Sequence, residues 1–225
     1  MAGADGCRGG WLVAVASSGR RALSAERLPD LEPVFARLAA GQLAALAVDI
    51  PIGLSGAGPR RCDAEARRLL GPRRSSVFPA PARAALGASC HAQASALNQQ
   101  AGGKRLSLQS LSMLGRIGHV EHLVRRHPGQ VVAECHPELS FCLMAGAPMA
   151  HPKRTAAGRT ERLDALRAAL DGIDAQASSP LFSAHPDDLL DAFACAWSAA
   201  RLLAGEATVL GGDLDPTGLP MRIVA

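Results

Sequence analysis

The chain has 225 residues, of which 48% are hydrophobic and 20% are charged, and its formal net charge is +4. This length and apolar content suffice for a packed core, so we expect a single globular domain over residues 1–225. No apolar stretch approaches the roughly 20 residues that span a bilayer, and no secretory leader pattern is present. These features exclude a membrane-spanning protein and favour a cytoplasmic one. The six cysteines form no Cys-x-x-Cys pair, which argues against a zinc ribbon or a redox motif.

Arginine supplies most of the positive charge, because lysine occurs only at Lys104 and Lys153. Many basic residues fall between positions 60 and 126, and such a segment suits a polyanionic partner, here nucleic acid. Arginine enrichment from a GC-rich genome would give the same composition, and both explanations stay open. Aromatic residues make up 3% of the chain and tyrosine is absent, so extensive stacking of bases on aromatic side chains is not expected.

Turn signals between short apolar segments predict an antiparallel meander at the start of the chain. Its strands are predicted at residues 2–7, 10–17 and 21–28, with turns at Gly9-Gly10 and Ser17-Ser18-Gly19. Residues 31–40 are predicted to be helical, since their apolar residues recur on one helical face. The nearly continuous apolar segment at 43–50 predicts a strand buried on both faces of a sheet, which is typical of parallel pairing.

The segment from about residue 55 to residue 129 is predicted to be a helical insertion, because its pattern is helical but irregular. The elements predicted from there onward are helices at 63–70 and 106–126, a strand at 130–135, a helix at 159–170, a helix from Pro186 to about Leu203, and an edge strand within 208–224. Turn signals in this last stretch lie at Gly211-Gly212 and at Pro216-Thr-Gly218.

Four acidic residues end four separate apolar elements, and they are Asp5, Asp49, Glu134 and Asp191. Aspartate is depleted in strands and seldom buried alone, so a carboxylate that ends an apolar strand requires a partner such as a cation. Carboxylate oxygens are the ligands that Mg²⁺ takes in proteins, usually together with substrate phosphates. The pattern therefore predicts a site for Mg²⁺ or Mn²⁺, and such a site would allow phosphodiester hydrolysis by a two-ion mechanism.

The last predicted helix carries further acids beside Asp191. Asp188 and Asp191 lie three residues apart on one helical face. Helix capping explains Asp187 and competes with metal binding as the role of Asp188, whereas Asp191 interrupts an apolar face and is predicted as a ligand. In the other acidic motif, His136 is either a base that positions water or a structural histidine.

Six short motifs occur in order along nearly the whole chain. They are Gly3 to Trp11, Asp49-Ile-Pro-Ile-Gly-Leu54, Arg61-Cys-Asp63, Ser75-Ser-Val-Phe78-Pro-Ala-Pro81, Glu134-Cys-His-Pro-Glu138 and Asp187 to Ala194. At these residues the chain resembles the family catalogued as domain of unknown function 429, described as predicted RNase H-like nucleases. The closing Asp188-x-x-Asp191-Ala-x-Ala is also similar to the last motif of the bacterial Holliday-junction resolvases.

The resemblance implies an α/β fold with an RNase H-like core of five mixed strands flanked by helices. It implies Asp5 and Asp49 as metal ligands from the first and fourth strands. It also implies Asp188 or Asp191 as the ligand from the final helix, and Glu134 as a further ligand or a support of its motif. A nucleic-acid substrate follows from the family description, and a homodimer is expected by analogy with the resolvases.

Four basic residues are predicted to contact substrate phosphates, and they are Arg8, Arg61, Arg67 and Lys153. Simpler roles are also open for them. Arg8 would then merely offset Asp5, and Arg67 would pair with Asp63 one helical turn away. Lys153 would stay solvated.

Two other functions stay open at this point. Nucleotide phosphotransfer or ATP hydrolysis of the actin and sugar-kinase kind shares the core, but it would require a second core domain. A non-catalytic nucleic-acid-binding or protein-interaction module would keep the acids for structure alone. The segment Gly102-Gly-Lys104-Arg105 lacks the upstream glycine and the hydroxyl residue of a phosphate-binding loop, which argues against an ATP loop of that type.

Overall fold

The computed structural model describes residues 1–17 and 23–225 and, at residues 108–110, the backbone alone. The predicted turn at Ser17-Ser18-Gly19 therefore lies largely outside the described residues, as do the first two residues of the strand predicted at 21–28. The strands are β1 (Ala2–Cys7), β2 (Gly10–Ala16), β3 (Leu23–Leu28), β4 (Leu46–Val48), β5 (Val132–Cys135), β6 (Val209–Leu214) and β7 (Pro220–Val224).

The described strands form one mixed sheet in the order β3-β2-β1-β4-β5-β7-β6. β1, β2 and β3 pair antiparallel, as the predicted meander requires, while β4, β5 and β7 run parallel to β1. The predicted mixed α/β architecture is confirmed. The predicted count of five strands is wrong, because the hairpin of β6 and β7 extends the sheet to seven strands beside β5.

The tail from residue 208 to residue 224 contains two strands where the sequence predicts one. Gly211-Gly212 is a turn signal by composition, yet it lies at a bulge inside β6. The chain reverses instead after Asp215, where the Gly218 N–H donates to the Asp215 carbonyl oxygen at 3.0 Å. β4 is also shorter than the segment predicted at 43–50.

Helices flank this sheet. They are α1 (Glu32–Ala39), α2 (Arg61–Leu70), α3 (His91–Gln100), α4 (Leu108–Arg126), α5 (Pro137–Ala145), α6 (Ala156–Ala169), α7 (Ile173–Ala177), α8 (Pro180–Ala184) and α9 (Pro186–Ala204). The predicted helices at 31–40, 63–70, 106–126, 159–170 and 186–203 are confirmed within a few residues. No helix in the described ranges is long and apolar enough to cross a membrane.

The two faces of the sheet are covered by different helices. α1 and α4 bury one face through residues such as Phe35 and Val120, which pack with Ala4 and Val48 of the sheet. α9 covers the other face with α6. α4 belongs to the stretch predicted as an insertion, and that stretch lies between β4 and β5.

β1 and α9 are in direct backbone contact at Gly3. A Cβ atom at this position would lie 2.1 Å from the Ala196 nitrogen and 2.2 Å from the Ala192 carbonyl oxygen, so no larger side chain fits without displacing the helix. Because side chains alternate along a strand, Asp5 lies on the same face of β1 as Gly3. The glycine therefore allows α9 to approach the strand that carries Asp5.

Candidate metal centre

Three of the predicted acidic residues meet at one edge of the sheet. Asp5 lies on β1, Asp49 directly follows β4, and Asp191 lies on α9. One carboxylate oxygen from each residue lies within 4.8 Å of the other two. β1 and β4 are parallel neighbours, and the Asp49 N–H donates to the Ala4 carbonyl oxygen at 2.9 Å, which brings Asp49 beside the end of β1.

The three carboxylates are poorly solvated and repel one another. Asp5 and Asp191 are buried, and Asp49 is half-buried. Burial raises the pKa of Asp5 well above its ordinary value, and the charges of Asp49 and Asp191 raise it further. Burial likewise raises the pKa of Asp49 to about 6, although His136 and Lys153 oppose this shift. The protein alone therefore leaves the negative charge of this cluster incompletely balanced.

Lys153 supplies a positive charge to the cluster. Its Nζ atom lies 2.5 Å from Asp191 Oδ2, and this ion pair raises the pKa of Lys153 even though burial lowers it. The second oxygen, Asp191 Oδ1, is buried and has no hydrogen-bond partner among the described residues. The cluster thus offers oxygen atoms from three carboxylates, and one of these carboxylates has a buried oxygen without a partner. Mg²⁺ and Mn²⁺ take carboxylate oxygens as ligands, so these residues fit such an ion.

Glu134 lies outside this cluster of three acids. Arg60 Nη2 lies 2.6 Å from Glu134 Oε1, Arg60 Nη1 lies 2.7 Å from Oε2, and the Ile52 N–H donates to Oε2 at 2.8 Å. Arg60 also pairs with Asp63, with Nη2 2.6 Å from Oδ1. Burial alone would lower the pKa of Arg60, but the charges of Glu134 and Asp63 raise it well above its usual value. Burial raises the pKa of Glu134, and Arg60 opposes that shift.

These contacts change the interpretation of Glu134. Both of its carboxylate oxygens already accept hydrogen bonds from a buried guanidinium. A carboxylate occupied in this way supports its motif and holds the segment around Ile52, and the structure does not favour it as a metal ligand. The expected local pair between Asp63 and Arg67 is also wrong, because Asp63 pairs with Arg60.

Asp188 lies beside the cluster without joining it. It lines the same cleft as Asp191, and its Oδ2 atom is 3.7 Å from His185 Nδ1. Burial raises the pKa of Asp188, and the charge of Asp191 raises it further. Asp187, explained as a cap by the sequence, instead forms an ion pair with Arg159 at 2.7 Å.

A cleft of about 810 Å³ opens over the three carboxylates. Of the four residues predicted to contact phosphates, Lys153 lines this cleft. Arg61 and Arg67 lie elsewhere, because Arg61 pairs with Glu65 at 3.2 Å and Arg67 donates to the Val77 carbonyl oxygen. Arg8 is exposed and lies outside the residues that line the cleft.

Several arginines that the sequence analysis did not assign to the site also line the cleft, among them Arg73, Arg116 and Arg154. Arg116 donates to the Cys7 carbonyl oxygen and lies 5.6 Å from the centre of the Trp11 ring. A Cβ atom at Gly6 would lie 2.6 Å from Arg116 Nη1, so the glycine after Asp5 leaves room for this guanidinium. Gly6 is the sequence feature that indicates a close neighbour at this point, but it does not show that the neighbour is Arg116.

His136 lines the cleft as well. Its Nε2 atom lies 3.3 Å from the Ser76 carbonyl oxygen, and its Nδ1 atom is buried without a partner among the described residues. The imidazole also influences Asp49, whose pKa it lowers. The geometry therefore places His136 at the site, and both roles that the sequence suggests for it remain compatible with these contacts.

The fold and the cleft define an α/β protein with a cluster of three carboxylates, two of them buried and one half-buried. The chain belongs to the family described as Protein of unknown function (DUF429), whose model matches residues 3–215. The predicted family is thereby confirmed, and the match includes every residue of the three-acid cluster. No curated protein and no solved structure matches the chain.

Proposed function

We propose that this protein is a metal-dependent nuclease of the RNase H-like type, which hydrolyses phosphodiester bonds. The observation that carries the proposal is the convergence of Asp5, Asp49 and Asp191 from three separate elements within 4.8 Å. The buried and unpartnered oxygen of Asp191 supports it, because a bound cation would satisfy that atom.

The strand order supports the RNase H-like assignment. Five neighbouring strands, in the order β3-β2-β1-β4-β5, have an antiparallel meander on one side and parallel pairing of β1 with β4 and of β4 with β5. These five strands would correspond to the mixed core that the family resemblance implies, and the β6–β7 hairpin would then be an addition at its far edge.

The residues of the cleft divide into those that would hold a metal and those that would bind substrate. Asp5, Asp49 and Asp191 would hold Mg²⁺ or Mn²⁺, and such an ion supplies activation of water and stabilisation of a leaving oxygen. Lys153 and Arg116 present positive charge beside these acids, where they would bind and orient the phosphate of the scissile bond.

A two-ion mechanism requires more oxygen ligands than the three-acid cluster provides. Asp188 is the acid placed to contribute one, since it lies in the same cleft and three residues before Asp191 on α9. Glu134 is not assigned this role because Arg60 engages both of its oxygens.

Cleavage of a labelled panel of single-stranded, duplex, hybrid and branched nucleic acids tests the proposal. We expect cleavage with Mg²⁺ or Mn²⁺, none with EDTA, and a loss of at least about a hundredfold in rate for Asp5→Asn and Asp191→Asn. The matched control is Asp213→Asn, since this acid is 53% exposed on β6. Metal-dependent cleavage that persists in both cluster variants would remove the assignment, as would an inactive wild-type protein.

A further inference from the structure

An aromatic side chain stands exposed on the wall of the proposed active-site cleft. Phe78 lines the same cleft as the three carboxylates and is 63% exposed. The chain has only five phenylalanines and two tryptophans, and ligand-binding sites are typically concave and lined by hydrophobic and aromatic side chains. Phe35, Phe141 and Phe193, by contrast, are fully buried in the core.

The backbone on both sides of Phe78 is held in place. Arg67 donates from Nε and Nη2 to the Val77 carbonyl oxygen at 3.0 and 2.6 Å. The Ala80 N–H donates to Asp63 Oδ2 at 3.3 Å. The intervening Pro79 has a fixed φ, which further restricts the segment. These contacts fix the backbone on both sides of Phe78, and its ring is exposed from this fixed segment.

These contacts give a role to two motif residues that the metal centre does not use. Asp63 joins the Phe78 segment to the buried Arg60–Glu134 pair, because its carboxylate contacts both Arg60 and the Ala80 N–H. Arg67, predicted from sequence as a phosphate contact, instead donates to the carbonyl oxygen of Val77, the residue before Phe78. Both are positioning residues for the aromatic ring.

The cleft that Phe78 lines carries cations as well as the acids described above. Arg73, Lys153 and Arg154 line the same cleft, and such cations suit the phosphates of a nucleic-acid strand. An aromatic ring stacks on the face of a nucleobase irrespective of its identity. In the interior of a duplex, both faces of each base are covered by neighbouring base pairs, so a paired base cannot stack on Phe78 without being extruded.

We propose that Phe78 is a stacking platform for an unpaired nucleobase, and that the substrate of the cleft is single-stranded nucleic acid or a single-stranded region of it. This inference rests on the proposed nuclease function and specifies its substrate class. One platform in a cleft that also carries Arg73, Lys153 and Arg154 is consistent with the low aromatic content of the chain, which excludes a long series of stacked bases.

Binding of labelled oligonucleotides tests this proposal separately from cleavage. The probes are a 12-nucleotide strand, as DNA and as RNA, and the same strand annealed to its complement as a blunt duplex. Fluorescence anisotropy is measured at constant ionic strength in EDTA and again with Ca²⁺. We expect wild type to bind the single strand more tightly than the duplex, and the DNA and RNA arms identify which sugar the cleft takes.

Variants of Phe78 give the specific readout. Phe78→Ala is expected to weaken single-strand binding about tenfold, as the loss of one stacked base predicts, and to leave duplex binding unchanged. Phe78→Trp is expected to retain affinity, and its indole fluorescence should be quenched by the single strand. Leu214→Ala is the matched control, because Leu214 is 67% exposed but lies on β6 outside the cleft lining.

A cleavage assay with Mg²⁺ distinguishes failure of this inference from failure of the proposed function. If Phe78→Ala raises KM for single strands with little change in kcat, the ring contributes binding as inferred. Metal-dependent cleavage with equal activity on both forms, or with Phe78→Ala indistinguishable from wild type, overturns the stacking inference and leaves the nuclease intact. Absence of both binding and cleavage on every probe overturns both.

Discussion

The three-acid cluster and the Arg60–Glu134 network are two acidic regions that line the same cleft and differ in how their charges are balanced. In the first, Asp5, Asp49 and Asp191 lie together with Lys153 paired to a single oxygen. In the second, Glu134 faces a guanidinium that contacts both of its oxygens. Glu138 follows the second arrangement, because Arg162 lies 2.8 Å from each of its oxygens.

This difference shows that a buried acid at the end of an apolar strand is not by itself evidence of a metal ligand. Asp49 and Glu134 are alike in sequence context, since each ends a strand of the parallel part of the sheet. What separates them is whether a distant arginine neutralises the carboxylate. Where the protein supplies such an arginine the acid contributes to folding, and where it does not the acid remains available for a cation.

The largest effect should come from breaking the neutralised region. Replacing Arg60 by Met leaves both Glu134 and Asp63 buried without their cation, and we expect the free energy of unfolding to fall by about 3–5 kcal/mol. Urea denaturation measures this loss. Arg61→Met is the matched control, because Arg61 is 59% exposed and its removal should change stability by less than about 0.5 kcal/mol. Equal effects of the two substitutions would contradict the distinction between the two regions.

The three-acid cluster should be stabilised by added cations, whereas the Arg60–Glu134 network should not. At a concentration of 100 times Kd, Mg²⁺ or Mn²⁺ should raise the free energy of unfolding of wild type by about 2.7 kcal/mol. Asp5→Asn should be more stable than wild type in EDTA, since it removes a buried charge repelled by its neighbours, and should lose the response to metal. Thermal unfolding with and without metal measures both effects. An unchanged metal response in Asp5→Asn would show that the cation binds elsewhere.

Asp215 is another acid whose charge the protein itself stabilises, and this stabilisation can be tested by changing the pH. Burial raises its pKa, but hydrogen bonds from the Thr217 hydroxyl and from the Leu54, Leu219 and Thr217 amides outweigh burial, and the resulting pKa lies well below 3.8. A carboxylate with a lowered pKa stabilises the fold above its unfolded pKa, and this contribution disappears as the pH falls through the folded value.

Asp215→Asn should therefore lower the free energy of unfolding by about 2 kcal/mol at pH 7, which is typical for loss of a buried charged hydrogen-bond acceptor. The difference from wild type should shrink as the pH falls below about 3.8. Denaturation curves across this pH range measure it. A difference that is constant with pH would mean that the carboxylate charge is not the source of the stabilisation.

Residues whose position follows from local pattern could be predicted from the sequence. Asp5 and Asp49 follow apolar segments, in β1 and directly after β4, and Asp191 interrupts the apolar face of α9, so each is recognisable from its local sequence. Their meeting followed from the parallel pairing expected of a buried fourth strand. The meander and the final helix were predictable for the same reason.

Contacts between distant segments could not be predicted in this way. Arg60 lies 74 residues from Glu134, and nothing in either local sequence names the other. Asp63 and Arg67 have the spacing of a helical ion pair. Asp63 nevertheless pairs with Arg60, and Arg67 donates to the Val77 carbonyl oxygen. The turn signal at Pro216-Thr-Gly218 lies where the hairpin does reverse. The extra strand escaped prediction because Gly211-Gly212 also has the composition of a turn but lies at a bulge inside β6.

The contact at Gly3 bears on which ion the centre would prefer. Mg²⁺ is bound at about 2.0–2.1 Å from oxygen and Ca²⁺ at about 2.3–2.6 Å, so a shift of a few tenths of an ångström between ligands changes the discrimination between them. Because α9 rests on the backbone of β1 at Gly3, the spacing between Asp5 and Asp191 is limited by this contact. The choice between ions would then depend on Gly3, a residue that has no side chain and would not itself contact the metal.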